Sequence, residues 1–521
     1  MRTFWSAVVL AASFSVRPAR AEVSPGESAC AALRQLQVPG AALSEVATEW
    51  FAAGSPPPPE PPWVPPLAVS MPAYCRLSAT LDRRTGADGR SYGIGFALAL
   101  PAEWNGRFLF QGGGGLNGTV APPLGRTGQG DAALARGFAV VTTDTGHRGE
   151  VFDASFMAEQ QASLDFAYQA VGRVAVLARQ IVARHYGKPA ARAYFMGCST
   201  GGREGMLMAQ RYPTYFDGIV VGAPAMRTAF SGIGDEWVAT MLNRVAPLDA
   251  SGKPEGRRAF ADADRKAVVD GLLASCDAAD GLRDGVVSDP IGCRFDPGSL
   301  RCAGPKADGC LSGPQAEALA KAFAGPKDSK GRQVYPGFRF DTGIAATQGI
   351  PGLLVGSTNP VGPPFSATEM DVDKRAEDAA AQPQMLLTAT SSWTNLSTFS
   401  SRGGKLLFFH GVSDPWFSAL DTVDYYERMT RANGGASVVT GWSRLFLVPG
   451  MGHCGGGPAT LDTFDMLGAV VEWVESQKPP QAIRATGRSW PGRSRPLCPY
   501  PSHAHYQGTG DVEDAASFEC R

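Results

Sequence analysis

The sequence lacks any block of basic residues and carries almost no net charge. Its 48 Lys and Arg residues are balanced by 49 Asp and Glu residues, which leaves a formal net charge of -1. Nucleic acids and anionic membranes bind proteins through clusters of positive charge. We therefore expect no nucleic acid and no membrane among the partners of this chain.

Long hydrophobic runs are also missing. The apolar run Phe4–Val16 is too short to span a bilayer, and no later stretch of spanning length is free of charges, Gly and Pro. Arg2 precedes this run and a small-x-small sequence ending at Ala21 follows it, which is typical of a signal peptide. The alternative is an N-terminal core helix, but the run is not amphipathic. We expect residues 1–21 to be a signal peptide and the mature protein to be secreted or periplasmic.

Ten cysteines are present, but no C-x-x-C pair, and this absence disfavours a cysteine-based metal site. In an exported chain an even number of cysteines indicates disulfides. The spacing suggests four pairs and leaves two distant cysteines: Cys30 with Cys75, Cys276 with Cys293, Cys302 with Cys310 and Cys498 with Cys520, with Cys198 and Cys454 remaining. Spacing alone does not exclude other pairings.

From about Tyr92 onward, short apolar runs alternate with stretches of helical periodicity. Phe138–Thr143 ends at an Asp and Ala193–Met196 ends at a Gly, for example. Strands that alternate with helices predict a parallel α/β sheet. Before this region we expect an Ala-rich helical stretch and an extended proline-rich run, Ser55–Pro66.

The alternation is lost between about Ala225 and Arg402, where Gly, Pro, Asp and Cys are frequent and only weak helices are indicated. This segment is too long for a loop in a compact domain. We predict that residues 225–402 form an inserted lid domain. The core would then consist of residues 22–224 and residues 403–521.

The segment Gly197–Gly201 has the pattern G-x-S-x-G, follows a predicted strand and precedes a helical stretch, Arg203–Arg211. This context is typical of a nucleophile elbow, in which glycines permit a cramped turn that exposes a serine at a helix N-terminus. Ser199 is therefore the predicted nucleophile. A glycine-rich structural turn is the alternative interpretation.

The partners of such a serine follow it in the order acid, then histidine. Asp414 comes just after the strand-like run Lys405–Phe409, and His453 comes just after Leu445–Val448. We predict that His453 is the general base and that Asp414 orients it. Taken singly, these would be a turn residue and a loop histidine.

An oxyanion hole needs two backbone N–H groups. One is expected from Thr200, directly after the serine, and the other from the four glycines Gly112–Gly115, which follow a predicted strand. Cys198 precedes the serine and Cys454 follows the histidine. If Ser199 and His453 touch, a disulfide between these neighbours is geometrically reasonable. Two unrelated buried thiols are the alternative.

Cys276–Val286 forms a compact acidic loop. Asp277, Asp280 and Asp284 supply hard oxygen ligands and the glycines permit sharp turns, which suits calcium. The spacing is not that of an EF-hand. A solvated turn without a metal ion is the alternative interpretation.

Cys-Ser, Asp and His-Cys in this order resemble the CS-D-HC motif of the tannase and feruloyl esterase family. Gly197–Glu204 and Gly450–Pro458 are similar to that family, and the likeness extends over nearly the whole mature chain. It implies an α/β-hydrolase fold with a large inserted lid, the five cysteine pairs, and Gly115 as the second oxyanion donor. It also implies a structural calcium ion in the lid, with added carbonyl ligands from Leu282 and Val286, and no organic cofactor.

The substrate class also comes from this resemblance, which implies a small aromatic ester held between core and lid. Trp416 and Phe417 are the predicted substrate contacts, with core packing as the alternative role. Phe417–Arg428 is similar to the mono-hydroxyethyl terephthalate hydrolase branch, which grips a free carboxylate with a lid arginine. In Gly343–Gln382 only Arg375 is a candidate, on composition alone.

The sequence therefore predicts a secreted serine carboxylic-ester hydrolase for ferulate-like or galloyl esters, existing as a monomer or weak oligomer. Three alternatives stay open. They are a mono-hydroxyethyl terephthalate hydrolase, a serine peptidase, and a catalytically inactive, calcium-stabilised binding protein.

Overall fold

The computed structural model describes residues 25–58, 67, 69–126, 132–351 and 365–521. The predicted signal peptide and much of the proline-rich run lie outside the described residues. No helix in the described part of the chain combines the length and the hydropathy that crossing a membrane requires.

A nine-stranded sheet forms the centre of the fold, with the spatial order β1-β2-β3-β5-β4-β6-β7-β8-β9. Its strands are β1 Leu43–Phe51, β2 Tyr74–Thr85, β3 Ser91–Pro101, β4 Arg107–Gln111, β5 Ala139–Thr143, β6 Arg192–Cys198, β7 Gly218–Gly222, β8 Lys405–Gly411 and β9 Ser443–Val448. Neighbours from β5 through β4 to β9 are parallel, whereas β1, β2, β3 and β5 pair antiparallel. The α/β-hydrolase fold class is confirmed.

The predicted parallel sheet is extended at the β1 end by antiparallel strands. The expected helical stretch before the proline-rich run is wrong in part, because it contains β1, and β2 follows that run. Among the described residues before Tyr92, only Pro25–Ala32 is α-helical. The strand β2 alternates buried and less buried positions through much of its length, but its Arg, Ser and Asp residues dilute the hydrophobic signal of a strand. The antiparallel pairing of β1 with β2 and of β2 with β3 identifies these strands, whereas their sequence pattern does not.

Helices cover both faces of the sheet. The α-helices are Pro25–Ala32, Gln160–Leu164, Ala170–Tyr186, Thr200–Gln210, Thr228–Asn243, Asp262–Cys276, Gly313–Ala324, Val372–Ala381, Pro383–Thr388, Ser397–Ser401, Ala419–Ala432, Ala436–Val439 and Met466–Ser476. Successive strand residues point to opposite faces. Phe195 therefore packs in one apolar cluster with Ile181, while Tyr194 packs in another with Trp473.

The segment between β7 and β8 contributes no strand to the large sheet. It contains a separate apolar cluster in which Val238, Leu242, Leu319 and Phe323 are buried. The expectation of weak helices is wrong, because Thr228–Asn243 has 16 residues and Asp262–Cys276 has 15. Packing against one another stabilises helices whose own sequences show little amphipathic signal. The division into core and lid domains stays a prediction, which this separate cluster supports.

All ten cysteines form disulfides, in the five pairs expected from the sequence and the family resemblance. Four pairs are between consecutive cysteines and close short or moderate loops. The fifth, Cys198–Cys454, spans 256 positions and joins the end of β6 to the segment after β9. It therefore links the two parts of the chain that flank the segment between β7 and β8.

The carboxyl ends of four parallel strands carry the predicted functional groups. Gly112 follows β4, Ser199 follows β6, Asp414 lies three residues past β8, and His453 lies five residues past β9. Parallel strands that share one sheet direct these ends to a single edge. The fold thus collects residues that are more than 300 positions apart in the sequence.

A glycine contact between the helix after β6 and the end of β7 yields a stability prediction. A Cβ atom at Gly202 would lie 2.2 Å from the carbonyl oxygen of Gly222, a backbone atom that has little room to move. We expect Gly202→Ala to lower the free energy of unfolding by about 3 kcal/mol, the upper end for overpacking. The shift of the urea midpoint measures it. Gly304→Ala is the control, because a Cβ there meets nothing within 4 Å. Equal midpoints for the two variants would contradict the prediction.

Candidate active site

Ser199 occupies a sharp turn between β6 and the helix Thr200–Gln210. Its backbone has φ 64° and ψ -123°, outside the ordinary regions for a residue with a side chain. Its N–H donates to the carbonyl of Gly222 at 3.0 Å, and its own carbonyl accepts from the N–H groups of Arg203 and Ala225, both at 3.0 Å. These three bonds hold a strained turn whose serine is only partly buried.

Glycines are required on either side of this serine. A Cβ atom at Gly197 would lie 2.4 Å from the carbonyl oxygen of Gly201, and one at Gly201 would lie 2.6 Å from that of Gly113. Real Cβ atoms do not approach backbone oxygen so closely. Any larger residue at either glycine of the G-x-S-x-G pattern would therefore clash with the backbone.

The buried Asp414 and the partly buried His453 form a hydrogen-bonded pair. The Nδ1 atom of His453 lies 2.7 Å from Oδ2 of Asp414. The other carboxylate oxygen accepts the N–H groups of Trp416 at 2.9 Å and Phe417 at 3.1 Å. Burial alone would raise the pKa of Asp414, but the charge and hydrogen bond of His453, with a contribution from His410, hold that pKa well below its ordinary value. Asp414 is therefore an anion that can orient an imidazole and stabilise its protonated form.

The opposite ring nitrogen of His453, Nε2, is not engaged by Asp414. This atom is buried and has no hydrogen-bond partner among the described residues. The Cys198–Cys454 disulfide, with a Cα–Cα distance of 6.0 Å, joins the residue before Ser199 to the residue after His453. This crosslink keeps the two segments adjacent, and Nε2 is free to accept a proton.

Two aromatic rings enclose the imidazole. The ring of Trp416 stacks on that of His453, with centroids 5.2 Å apart and an interplanar angle of 5°. Phe417 meets the same imidazole at a steep angle with centroids 5.3 Å apart, and Phe152 lies 5.6 Å from Trp416. Both predicted aromatic residues therefore lie at the site and contact the histidine.

The Gly112–Gly115 loop lies against the nucleophile turn. Gly112 donates its N–H to the carbonyl of Met196, and Gly113 accepts the N–H of Gly201 at 2.9 Å. The hydroxyl of Thr200 donates to the carbonyl of Gly115. Gly115 has φ 56°, and within the described chain its N–H is engaged in no recorded hydrogen bond. The predicted donors Gly115 and Thr200 are thus neighbours, and their oxyanion role stays a prediction.

A cleft with a volume of about 110 Å³ lies beside Thr200. Its far wall comes from the segment between β7 and β8 and includes Thr228, Gln384, Met385 and Thr388. The one charged side chain that lines it, Arg203, donates to the carbonyls of Ala167 and Phe166 at 2.8 and 3.0 Å. The cleft therefore offers mainly neutral hydrogen-bonding groups and apolar surface.

Arg375, the candidate for gripping a substrate carboxylate, has another partner. Its Nε and Nη2 atoms donate to the two carboxylate oxygens of Glu236 at 2.9 and 2.7 Å. A bidentate pair of this kind occupies the guanidinium fork. The structure thus gives no support to the expectation that Arg375 binds a substrate carboxylate.

Two polar residues near the site were not predicted to act there. His410 is fully buried, and its Nε2 lies 3.4 Å from Asp414. Glu204, also fully buried, contacts the glycine loop. His410 ends a buried strand, which favours a packing role, and the only sequence signal for Glu204 is its position five residues after the serine.

The acidic loop brings three carboxylates together beside the Cys276–Cys293 disulfide. Asp277 and Asp280 are buried, and burial together with Asp284 and Asp277 raises the pKa of Asp280. One oxygen of Asp284 accepts the Val286 N–H, and the other pairs with Arg495. No group of three or more His, Cys, Asp and Glu side chains in the described ranges is arranged as a metal site. The calcium ion expected at this loop therefore stays a prediction.

Comparison with known proteins gives a consistent result. The family described as "Tannase and feruloyl esterase" matches residues 79–360 and 363–521. The mono(2-hydroxyethyl) terephthalate hydrolase of Piscinibacter sakaiensis is 39% identical, over 87% of this chain and 85% of that protein. A probable feruloyl esterase of Arthroderma benhamiae is 31% identical, over 94% and 93%. The crystal structure of feruloyl esterase B from Aspergillus oryzae superposes with a TM-score of 0.75 and 26% identity, over 95% of this chain and 99% of that one.

The long-range disulfide yields a testable expectation for both stability and activity. Removing it in Cys198→Ala/Cys454→Ala should lower the free energy of unfolding by about 3–5 kcal/mol, because it closes a long loop. It should also lower kcat more than tenfold, since the serine and histidine segments lose their crosslink.

The matched control is Cys302→Ala/Cys310→Ala, which removes a crosslink spanning only 8 positions. Urea midpoints and ester turnover are measured for both double variants. Equal kcat values for the two would show that the long-range disulfide does not organise the site.

Proposed function

The chain belongs to the tannase and feruloyl esterase family and is an ester hydrolase, and on this basis we propose that it cleaves small aromatic esters through Ser199, His453 and Asp414. The observation that carries the mechanism is the 2.7 Å hydrogen bond between His453 and the anionic Asp414, together with the unpartnered Nε2 of His453 and the Cys198–Cys454 disulfide that joins the serine and histidine segments. This is the arrangement that activates a serine hydroxyl.

The reaction follows from these groups in two halves. Ser199 Oγ attacks the ester carbonyl carbon while His453 Nε2 accepts the hydroxyl proton, and the N–H groups of Thr200 and Gly115 stabilise the oxyanion. The tetrahedral intermediate expels the alcohol, which takes the proton from His453. Water then attacks the acyl-enzyme, with His453 as base again, and releases the carboxylic acid and free Ser199. Asp414 remains ionised throughout.

The substrate proposed is an uncharged aromatic ester, such as a hydroxycinnamoyl or galloyl ester. Trp416 and Phe417 supply aromatic surface beside His453, and the cleft beside Thr200 supplies amide and hydroxyl groups from Gln384 and Thr388. Such neutral groups suit phenolic hydroxyls. Among the described residues that line the cleft, the only cation is Arg203, which is already bonded to two backbone carbonyls.

A second candidate is hydrolysis of mono(2-hydroxyethyl) terephthalate, which the 39% identity to the Piscinibacter sakaiensis enzyme favours. The half-ester carries a carboxylate, and Arg375 is already paired with Glu236. We therefore place this substrate second. The five disulfides support the proposal that the protein works in the periplasm or outside the cell.

A panel of small esters tests the proposed function. We expect methyl ferulate or methyl gallate to be turned over faster than mono(2-hydroxyethyl) terephthalate, and Ser199→Ala to lower kcat at least about 10³-fold because it removes the nucleophile. Ser401→Ala, on the exposed surface, is the control. Hydrolysis is followed by chromatography of the released acid.

Other outcomes assign the alternatives. Faster turnover of the terephthalate half-ester than of the other esters would overturn the substrate proposal, but it would not affect the proposed mechanism. Cleavage of matched anilides as fast as esters would indicate a peptidase. No turnover, together with no labelling by a fluorophosphonate probe, would indicate a binding protein on an inactive scaffold.

We also propose a structural calcium ion held by Asp277, Asp280, Asp284 and the carbonyls of Leu282 and Val286. The support is the hard-oxygen donor set and the convergence of like charges that raises the pKa of Asp280. The ion would neutralise these charges and stiffen the segment between β7 and β8, with no part in the chemistry.

Calcium removal is expected to lower thermal stability. Dialysis against EDTA should decrease the Tm, and added CaCl₂ should restore it, since a ligand at 100 times its Kd stabilises by about 2.7 kcal/mol. In Asp280→Asn the Tm should no longer respond to calcium, whereas Asp308→Asn, an exposed lid aspartate, should respond as the parent does. An unchanged Tm in EDTA would count against the ion.

A further inference from the structure

Glu204 is a fully buried carboxylate that no step of the proposed reaction uses. It lies on the helix Thr200–Gln210, five residues after the nucleophile, and its side chain points to the glycine loop. Its Oε2 accepts the N–H of Gly113 at 3.0 Å, and its Oε1 accepts from the side-chain amide of Asn117, also at 3.0 Å. Each oxygen thus binds a donor at one end of the same loop.

Backbone hydrogen bonds hold the two ends of the loop, from Gly112 to Met196 at 2.9 Å and from Leu116 to Val151 at 2.8 Å, and Glu204 adds a bond to Gly113 between them. Gly113 is bound on both sides by the nucleophile helix, since its N–H donates to Glu204 and its carbonyl accepts from Gly201 at 2.9 Å. Asn117 has φ 55° and donates its N–H to the carbonyl of Gly114 at 2.9 Å, which closes a tight turn around Gly115. A chain of glycines has no side chains to pack, so hydrogen bonds must hold it.

We propose that Glu204 is a positioning residue, which fixes the Gly112–Gly115 loop so that the N–H of Gly115 points at the oxyanion formed on attack by Ser199. The inference rests on the proposed esterase mechanism. The helix Thr200–Gln210 begins directly after Ser199 and carries Glu204. One rigid element therefore fixes the positions of both the nucleophile and the glycine loop. An oxyanion hole requires such fixed positions, because its N–H donors must be in place before negative charge develops on the substrate oxygen.

A neutral side chain that keeps an acceptor can perform this role. Burial raises the pKa of Glu204, although Arg203 and the bonds from Gly113 and Asn117 act in the opposite direction. The Oδ1 atom of Asn117 is buried without a partner in the described structure. A glutamine at position 204 could accept from Gly113 and, after rotation of the Asn117 amide, donate to that Oδ1.

The test compares Glu204→Met, which has similar length and no acceptor, with Glu204→Gln. We expect Glu204→Met to lower kcat on p-nitrophenyl acetate about 100-fold with KM changed less than about threefold, as for a misplaced oxyanion donor. Glu204→Gln should recover most of that loss. Rates are expressed per active site, counted by complete reaction with a fluorophosphonate, so that a lower folded fraction does not enter kcat.

Glu475→Met is the matched control. Glu475 also joins β4 to β6, through Arg107 and Tyr194, but at the opposite ends of these strands. The Glu475→Met substitution should lower the Tm and leave kcat within about threefold of the wild-type value, because Glu475 does not contact the glycine loop. If Glu204→Met does not fold, Asn117→Gly replaces it in the test. Glycine adopts the positive φ of Asn117, and the substitution removes one of the two hydrogen bonds that Glu204 accepts, so we expect a smaller loss in kcat.

Affinity for phenylboronic acid gives a readout that needs no turnover. Its tetrahedral adduct with serine places an oxygen in the oxyanion hole, so its Kd should rise in Glu204→Met by about the factor that kcat falls. Wild-type kcat and boronate affinity in Glu204→Met, or in Asn117→Gly if that variant carries the test, would overturn the positioning role and leave the esterase proposal intact. Unchanged turnover in Ser199→Ala would instead overturn the proposed function, and with it the positioning role of Glu204 that rests on that function.

Discussion

The strained backbone of Ser199 is the constraint on which the surrounding structure depends. A residue at φ 64° and ψ -123° costs of the order of 1–3 kcal/mol and persists only where its surroundings enforce it. Here three backbone hydrogen bonds and the absence of Cβ atoms at Gly197, Gly201 and Gly202 enforce it. The close approach of the helix after the serine to β7 and to the glycine loop follows from the same crowding.

The grouping of the predicted site residues at one edge of the sheet follows from a property of parallel sheets. Once the runs before Ser199, Asp414 and His453 are recognised as parallel strands, their carboxyl ends must share one edge, and residues hundreds of positions apart become neighbours. The glycine pattern predicts the sharp turn at the serine, and the cysteines beside the serine and the histidine predict the disulfide between the two segments. None of these inferences needs a side-chain contact to be known in advance.

The features that escaped prediction depend on partners that are distant in sequence. The strands β1 and β2 are stabilised by pairing with one another and with β3, and their own residues give a weak pattern. The helices between β7 and β8 owe their stability to mutual burial around Val238 and Leu319. Similarly, Glu204 binds a loop about 90 positions earlier, and Arg375 pairs with Glu236 across 139 positions. Composition cannot indicate which partner a long polar side chain chooses.

The pairing of Cys198 with Cys454 has a consequence for how the protein is made. Cys276, Cys293, Cys302 and Cys310 all lie between these two cysteines, so this disulfide alone joins non-consecutive cysteines. As the chain emerges in order, Cys198 is exposed to oxidation well before its partner exists, and strict first-come pairing would join it to Cys276. Correct maturation therefore requires either that Cys198 stays reduced inside an early-folding unit or that a thiol–disulfide exchange corrects the first bond. The yield of active enzyme in a recombinant host is then set by its oxidative folding machinery as much as by the stability of the finished fold.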